Sequence, residues 1–373
     1  MADKKVVISE PRLPQYRVRL FDLMREQLER EGVELRLLLG EETRDEAARG
    51  DSGHLDWAIK IPTTFFLGER LCWQPLGRYI KDADLVVVNH HNKLLYNHLL
   101  MVTSRNFRLA FWDHGRNMQS ANPIGFKERF KRWTSTRVDW WFAYTCVTEE
   151  IVAARGFPRE RITVLNNAID TSELRRLAQE IGAEEVETLR SSLELSGKHV
   201  ALYLGSLYPD KRLDFLVDAA QAVRERIDNF ALLVIGDGVG REQMRAWAAA
   251  RPWLHWVGAK RGRDKALYAR LAEILVVPAQ VGLVVVDSFV LGLPLITTDY
   301  PGHGPEFAYL EPGANGMITA TDVREYADAV VNLLGDRAKL ECLKAGCVRG
   351  ASEYTIENMA QRFTSGILQA LAS

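Results

Sequence analysis

The chain has 373 residues, 47% of them hydrophobic and 26% charged, the balance of a globular rather than a disordered protein, with length enough for two domains. Its 48 basic and 49 acidic residues give a formal net charge of -1, so no global field draws it to nucleic acid, and an anionic surface could be met only by a local patch. Cys72, Cys146, Cys342 and Cys347 have neither zinc spacing nor the density of a disulfide scaffold, and Val6 to Ile8 is far too short for a signal peptide; both features point to a reduced, cytoplasmic setting.

Short β-branched runs alternate with amphipathic stretches from end to end, the pattern of helices covering both faces of a parallel sheet. In the first half strands are expected at 6–9, 34–39, 85–89, 108–112, 141–144 and 162–165, with a helix starting near Arg17. Residues 172–195 are charged and helix-prone and are followed by Ser196 and Gly197, so the halves should divide there. The second half should carry strands at 200–204, 231–235, 254–257, 274–277 and 295–297, with helices from Leu213, Arg241 and Val323. This gives a first domain over 1–170, a linker region over 171–197, a second domain over 198–350 and a last helix over 351–373 that returns to the first domain. Residues 274–298 are long enough to span a bilayer and carry only Asp287 as a charge, but Pro278 and Pro294 interrupt them. Strand, loop, buried helix and strand is the expected reading.

Two segments carry chemistry. In Leu202-Tyr203-Leu204-Gly205-Ser206-Leu207-Tyr208-Pro209-Asp210-Lys211-Arg212-Leu213, a strand ends at Gly205, and Lys211 and Arg212 stand where a helix opens. Free N–H groups and the positive end of the helix dipole favour an anion there, and a diphosphate fits; the alternative is a solvated basic pair that caps nothing. In Val281-Gly282-Leu283-Val284-Val285-Val286-Asp287, Gly282 allows close backbone approach to a ligand. Asp287 is a lone carboxylate in an apolar helix, which needs either a salt bridge or ligand hydroxyls.

In this order and separation the two segments resemble the donor-binding domain of the family-four group of GT-B glycosyltransferases. Further landmarks agree: Ile162 to Asp170, Leu233 to Gly238, Trp256-Val257-Gly258, Ala272 to Pro278, Pro305-Glu306 and Asn315-Gly316. The resemblance implies an α/β GT-B fold, two Rossmann-like doubly wound parallel-sheet domains facing across a cleft. It implies a nucleotide-diphosphate sugar as donor substrate, no cofactor, no metal on the diphosphate, and retention of anomeric configuration. Carried over by position, the donor site would comprise Gly205, Ser206, Lys211, Arg212, Val257, Gly282, Leu283, Val284 and Asp287. Lys211 would stabilise the leaving diphosphate, and His114, at the end of a first-domain strand, would stand close to the transferred sugar. Two departures stand out: the first of the family's paired glutamates falls at Ala279 and the second is Asp287, and Ser206 occupies the place where many relatives have arginine.

The acceptor, a glycan or a lipid-linked acceptor in cell-surface polysaccharide or glycolipid synthesis, is expected on the first domain, near Tyr16 and Arg17 with Arg116 and Asn117 opposite, where the alternative is an ordinary loop before an amphipathic helix. In residues 125–137, Phe126, Phe130 and Trp133 share one helical face among Lys127, Arg129, Lys131, Arg132 and Arg137, a composition suited to an anionic lipid surface on the inner face of the plasma membrane or, alternatively, to simple core packing. Two other readings are carried along. A nucleotide-sugar epimerase is suggested by Gly236-Asp237-Gly238-Val239-Gly240, although Arg241 stands where a dinucleotide fingerprint needs its third glycine. A degenerate transferase that only binds is suggested by Ala279 and Ser206. His90, His91 and His98 make a poor metal site, since adjacent strand residues face opposite ways.

Overall fold

The computed structural model describes residues 4–48, 50–115 and 126–373. It divides into two compact units, Met1–Asp170 with Thr355–Ser373, and Thr171–Tyr354.

The first unit runs β1 (Lys4–Glu10), α1 (Val18–Arg30), β2 (Val33–Leu39), α2 (Arg44–Ala47), β3 (Ile59–Lys60), the antiparallel hairpin β4 (Thr64–Phe66) and β5 (Leu71–Trp73), β6 (Leu85–Val88), α3 (Leu95–Val102), β7 (Arg108–Asp113), α4 (Phe126–Thr134), β8 (Trp140–Ala143), α5 (Cys146–Ala153) and β9 (Ile162–Val164). Among the described residues its sheet is parallel throughout, in the order β3-β2-β1-β6-β7-β8-β9. The strands are apolar on both faces because both faces are covered. Val6, Ile8, Trp112 and Phe142 enter one core, while Val7, Phe111 and Trp141 enter the other, the period of two expected of a strand.

The second unit begins with α6 (Ser172–Glu180) and α7 (Ala183–Ser192), so residues 171–197, expected as a linker, are two helices inside it. Leu177 and Ile181 pack on Ala266, with Leu174 beside them, a stripe at helical spacing that the charge of the segment had masked. Then follow β10 (His199–Leu204), α8 (Leu213–Arg224), β11 (Phe230–Ile235), α9 (Arg241–Ala250), β12 (Leu254–Trp256), α10 (Gly262–Ala269), β13 (Ile274–Val276), α11 (Val284–Leu291), β14 (Leu295–Thr298), β15 (Gly316–Thr319), α12 (Val323–Gly335) and α13 (Arg337–Glu353). The described strands form a second parallel sheet, β12-β11-β10-β13-β14-β15. The apolar stretch 274–298 is thus strand, loop, buried helix and strand, and no described helix is long and apolar enough to cross a membrane. The last helix, α14 (Ile356–Ala372), belongs to the first unit, where Phe363 lies 4.4 Å from the Phe142 ring and 4.9 Å from that of Trp112.

Candidate functional site

In the second unit, the loops after β10, β11, β12 and β13 meet at the carboxyl ends of four neighbouring strands, the usual ligand side of such a sheet. Gly205 donates its N–H to Ile235 O (3.1 Å), and a Cβ on Gly236 would stand 1.8 Å from Gly205 O, so only glycine lets these two strand ends close. Leu207 N–H to Asp237 O (2.9 Å) and Gly240 N–H to Leu207 O (2.8 Å) then lace the two loops together, and the Tyr203 hydroxyl donates to Ser206 O (2.8 Å). Val257 N–H pairs with Val234 O (3.1 Å), which holds Val257 at the same strand end. Arg241, at the start of α9, is paired with Asp237 through both its Nε and Nη2 atoms, an ordinary end-of-helix ion pair.

After β10 the chain makes a short 3-10 turn, Pro209–Lys211, and Arg212 takes a left-handed conformation (φ 52°) to start α8. This turn throws the Lys211 ammonium across to the loop after β13, where it donates to Gln280 O at 2.6 Å; burial pulls its pKa below the usual lysine value. Arg212 does not join it: its guanidinium lies over the Phe215 ring at 5.6 Å, 3.8 Å from the Asp214 carboxylate. Gln280 is itself left-handed (φ 54°), and Gly304 N–H closes on Val281 O at 2.7 Å. The first helical bond of α11 runs from Val285 N–H to Gly282 O (3.1 Å), so the amides of Gly282, Leu283 and Val284 precede it at the positive end of the helix dipole. One turn on, Asp287 is held by Lys265 Nζ at 2.8 Å, the salt bridge that its sequence context allowed for. Ala279 is buried at the start of the same loop.

The first unit carries a different cluster at the ends of β1, β6, β7 and β8. Asn89 Nδ2 donates to Glu10 Oε1 (3.2 Å) and to Trp112 O (3.3 Å), and the buried Asp113 carboxylate lies 3.3 Å from His91 Nε2. Arg17 is 5% exposed; its guanidinium sits 4.7 Å from the Trp112 ring centre, 5.5 Å from that of Tyr144 and 5.3 Å from that of Tyr16, and donates to Met359 Sδ (3.6 Å). Glu10 is only half-buried as a residue, but its carboxyl lies inside, and desolvation outweighs Arg17 and Asn89 to push its pKa up to about 7. Tyr16 is exposed beside this cluster, and the His114 ring lies against Tyr144 with centroids 3.9 Å apart. Arg116 and Asn117 lie outside the described residues. Glu10, Asn89, Asp113 and Tyr144 were not singled out in the sequence; the signal that marks them is a polar group closing an otherwise apolar strand.

In α4, Phe130 packs against His98 (5.1 Å), so it does not stand free on an outward aromatic face. Trp133 is 49% exposed under the Arg137 guanidinium (3.9 Å), and Arg129 and Arg132 are exposed. Gly125 and the side chains of Phe126, Lys127 and Lys131 fall outside the described residues.

Two family models match the chain: "Glycosyltransferase Family 4" over residues 18–173 and "Glycosyl transferases group 1" over residues 198–336. A D-inositol 3-phosphate glycosyltransferase of Thermobispora bispora is 27% identical over 243 residues, 60% of this chain and 55% of that protein. A GDP-mannose-dependent alpha-(1-6)-phosphatidylinositol monomannoside mannosyltransferase of Mycobacterium tuberculosis is 25% identical over 170 residues, 42% of this chain and 44% of that protein. The matched part of the chain thus spans about half the length of these curated relatives. Anabaena Alr3699/HepE, solved in complex with UDP, superposes with a TM-score of 0.70 over 98% of this chain and 99% of its own at 14% identity, a likeness of fold.

Proposed function

The chain belongs to the family-four group of GT-B glycosyltransferases, and from that premise we propose that it transfers a sugar from a nucleotide-diphosphate donor held by the second unit to a polyhydroxylated acceptor held by the first. The observation that carries this reading is the reach of Lys211 across to the Gln280 carbonyl, which brings the two sequence-distant donor motifs to one point. With a donor bound, the ammonium exchanges that carbonyl for phosphate oxygens, and the amides of Gly282 to Val284 face the same charge. As the sugar–phosphate bond breaks, these fixed donors stabilise the negative charge arriving on the diphosphate, an electrostatic mechanism that asks for no covalent intermediate. Retention, and the absence of a metal from the diphosphate, follow from the family resemblance.

The acceptor reading rests on the first-unit cluster: two carboxyl groups, an arginine, an amide and aromatic rings are the groups that bind ring hydroxyls. His114 would stand beside the transferred sugar. The two curated relatives are named for an inositol phosphate and a phosphatidylinositol mannoside, which favours a cyclitol or glycan acceptor, lipid-linked in the second case. Attachment to an anionic membrane surface would use α4 through Arg129, Arg132 and Trp133. Binding to phosphatidylglycerol vesicles that survives Arg129→Glu with Arg132→Glu would rule that attachment out.

A second reading, a transferase fold that only binds, is favoured by Ala279 and by the engagement of Asp287 with Lys265. Calorimetry with UDP, GDP, their glucose and mannose conjugates and NAD, with Lys211→Ala run beside the parent, separates the two. Binding of one sugar nucleotide that weakens about tenfold to a hundredfold in the variant, with turnover, supports transfer. Binding without hydrolysis or transfer supports the binder, and a response to NAD alone overturns both.

A further inference from the structure

One buried titratable group stands directly on the donor loop with no part in the mechanism above. His303 is 4% exposed, and its ring stacks on Phe307 at 4.1 Å with the planes 4° apart. Its Nδ1 accepts the N–H of Val281 at 3.0 Å, and its Nε2 lies 2.9 Å from Thr298 O. These partners fix the tautomer. A backbone N–H can only donate and a carbonyl can only accept, so Nδ1 carries no proton and Nε2 carries one.

The bond to Val281 is one of several that hold the turn between β13 and α11; Thr298 Oγ1 holds it at Pro278 O (2.7 Å). Lys211 holds it at Gln280 O, the Gly304 N–H holds it at Val281 O, and His303 holds it at Val281 N. The turn needs such clamps, because Gln280 sits in left-handed backbone without being glycine, a conformation that costs free energy unless its surroundings impose it. The next residues, Gly282 to Val284, present the amides assigned above to the diphosphate. Resting on that assignment, we propose that His303 is a positioning residue for the donor: its neutral imidazole holds Val281 so that the following amides point at the diphosphate, and acid releases the turn.

Acid acts through one atom. A proton on Nδ1 sets an N–H against the Val281 N–H, so the bond is lost and the ring or the turn must move. Burial is the main cause that holds the His303 pKa below its usual value; the hydrogen bond to Thr298 O pulls the other way, Lys211 adds to the lowering and Asp299 opposes it. Glu306 lies beside the loop, with Oε2 3.7 Å from where a Cβ on Gly282 would be, and the Tyr300 ring meets the imidazole edge-on at 5.8 Å. The neutral clamp is therefore fully present above the ordinary histidine pKa of about 6.5 and is lost as the pH falls through the lower folded-state value.

The test measures the affinity of UDP and GDP by calorimetry between pH 7.5 and 5.0 for the parent, His303→Asn and His303→Ala, with thermal unfolding of each. Phosphate ionisation of the nucleotide is common to all three and cancels in ratios. Asparagine offers Oδ1 to the Val281 N–H and does not titrate, so it should bind the nucleotide within a few-fold of the parent at pH 7.5. As the pH falls, the parent should lose affinity relative to His303→Asn, by up to about tenfold for each pH unit below the folded-state pKa, where one proton is displaced per nucleotide bound. Alanine should bind poorly at every pH. Identical pH profiles for the parent and His303→Asn overturn the positioning role while leaving the donor site standing. Failure of the parent to bind either nucleotide at pH 7.5 overturns the donor assignment itself, and this inference with it.

Discussion

The two sheets present their carboxyl ends in opposite chemical styles. At the end of the second sheet the polar groups that matter are mostly backbone: the amides of Gly282 to Val284, the Gln280 carbonyl, and glycines that let loops touch, with Lys211 as the cation that reaches them. At the end of the first sheet they are side chains drawn from four strands and a helix, among them Glu10, Asn89, Asp113, Tyr144 and Arg17. A backbone surface presents the same groups whatever the neighbouring side chains are, which suits a diphosphate, the part shared by all nucleoside-diphosphate sugars. A side-chain cluster can differ at every position, which suits a variable acceptor. The contrast has an energetic side as well. The backbone site depends on steric fit, while the side-chain site carries buried ionisable groups whose cost depends on pH.

The largest effect expected from that contrast is steric. Gly236→Ala puts a methyl 1.8 Å from the Gly205 carbonyl, so β10 and β11 cannot close as they do. Thermal and urea unfolding should show a loss of about 3 kcal/mol, together with loss of nucleotide binding. A variant that is stable and still binds would show that the two loops need not be laced. A middle-sized effect belongs to the other sheet and has the opposite sign. Glu10 rises from 4.5 to about 7 in the fold, so the fold favours its protonated form and loses stability as the pH climbs through that window. Glu10→Gln cannot ionise. It should match the parent near pH 5 and exceed it by about 2 kcal/mol at pH 8, read from urea midpoints. If the difference between the two proteins does not change with pH, the carboxyl is solvated and the contrast fails. The smallest effect lies at the boundary between the two styles. Asp287→Asn leaves the half-buried Lys265 without its ion pair and should cost about 1 kcal/mol. Nucleotide affinity that falls in proportion to this small loss would leave Asp287 a structural partner of Lys265. A much larger fall would place it against the ribose.

The sequence by itself determined the repeating α/β layout, because strand and helix periodicity are written in residues that neighbour one another along the chain. Eleven expected strands coincide with observed ones to within a residue or two at most of their ends, and the helices from Leu213, Arg241 and Val323 begin at those residues. The glycines and the lysine of the loops after β10 and β13 were legible for the same reason, since backbone freedom and a helix N-terminus are local properties. Other parts were not. The last strand of the second sheet, Gly316–Thr319, is short and half-polar, and β3 has only two residues, so neither leaves a periodic trace. Residues 171–197 were expected as a linker on charge, whereas their sparse apolar stripe is enough for two packed helices.

Only the tertiary structure decided the pairings. It joined Lys211 to Gln280, Val281 to His303 and Glu10 to Asn89, each across a crossover that the chain must complete before the two residues meet. It also gave Asp287 a salt-bridge partner in Lys265 and set the Phe130 ring against His98. The physical reason is common to all of these. A residue's own type and its neighbours set the backbone it favours, but the partner of a buried polar group is whatever the register of parallel strands brings beside it, and that register is fixed by the packing of the whole sheet.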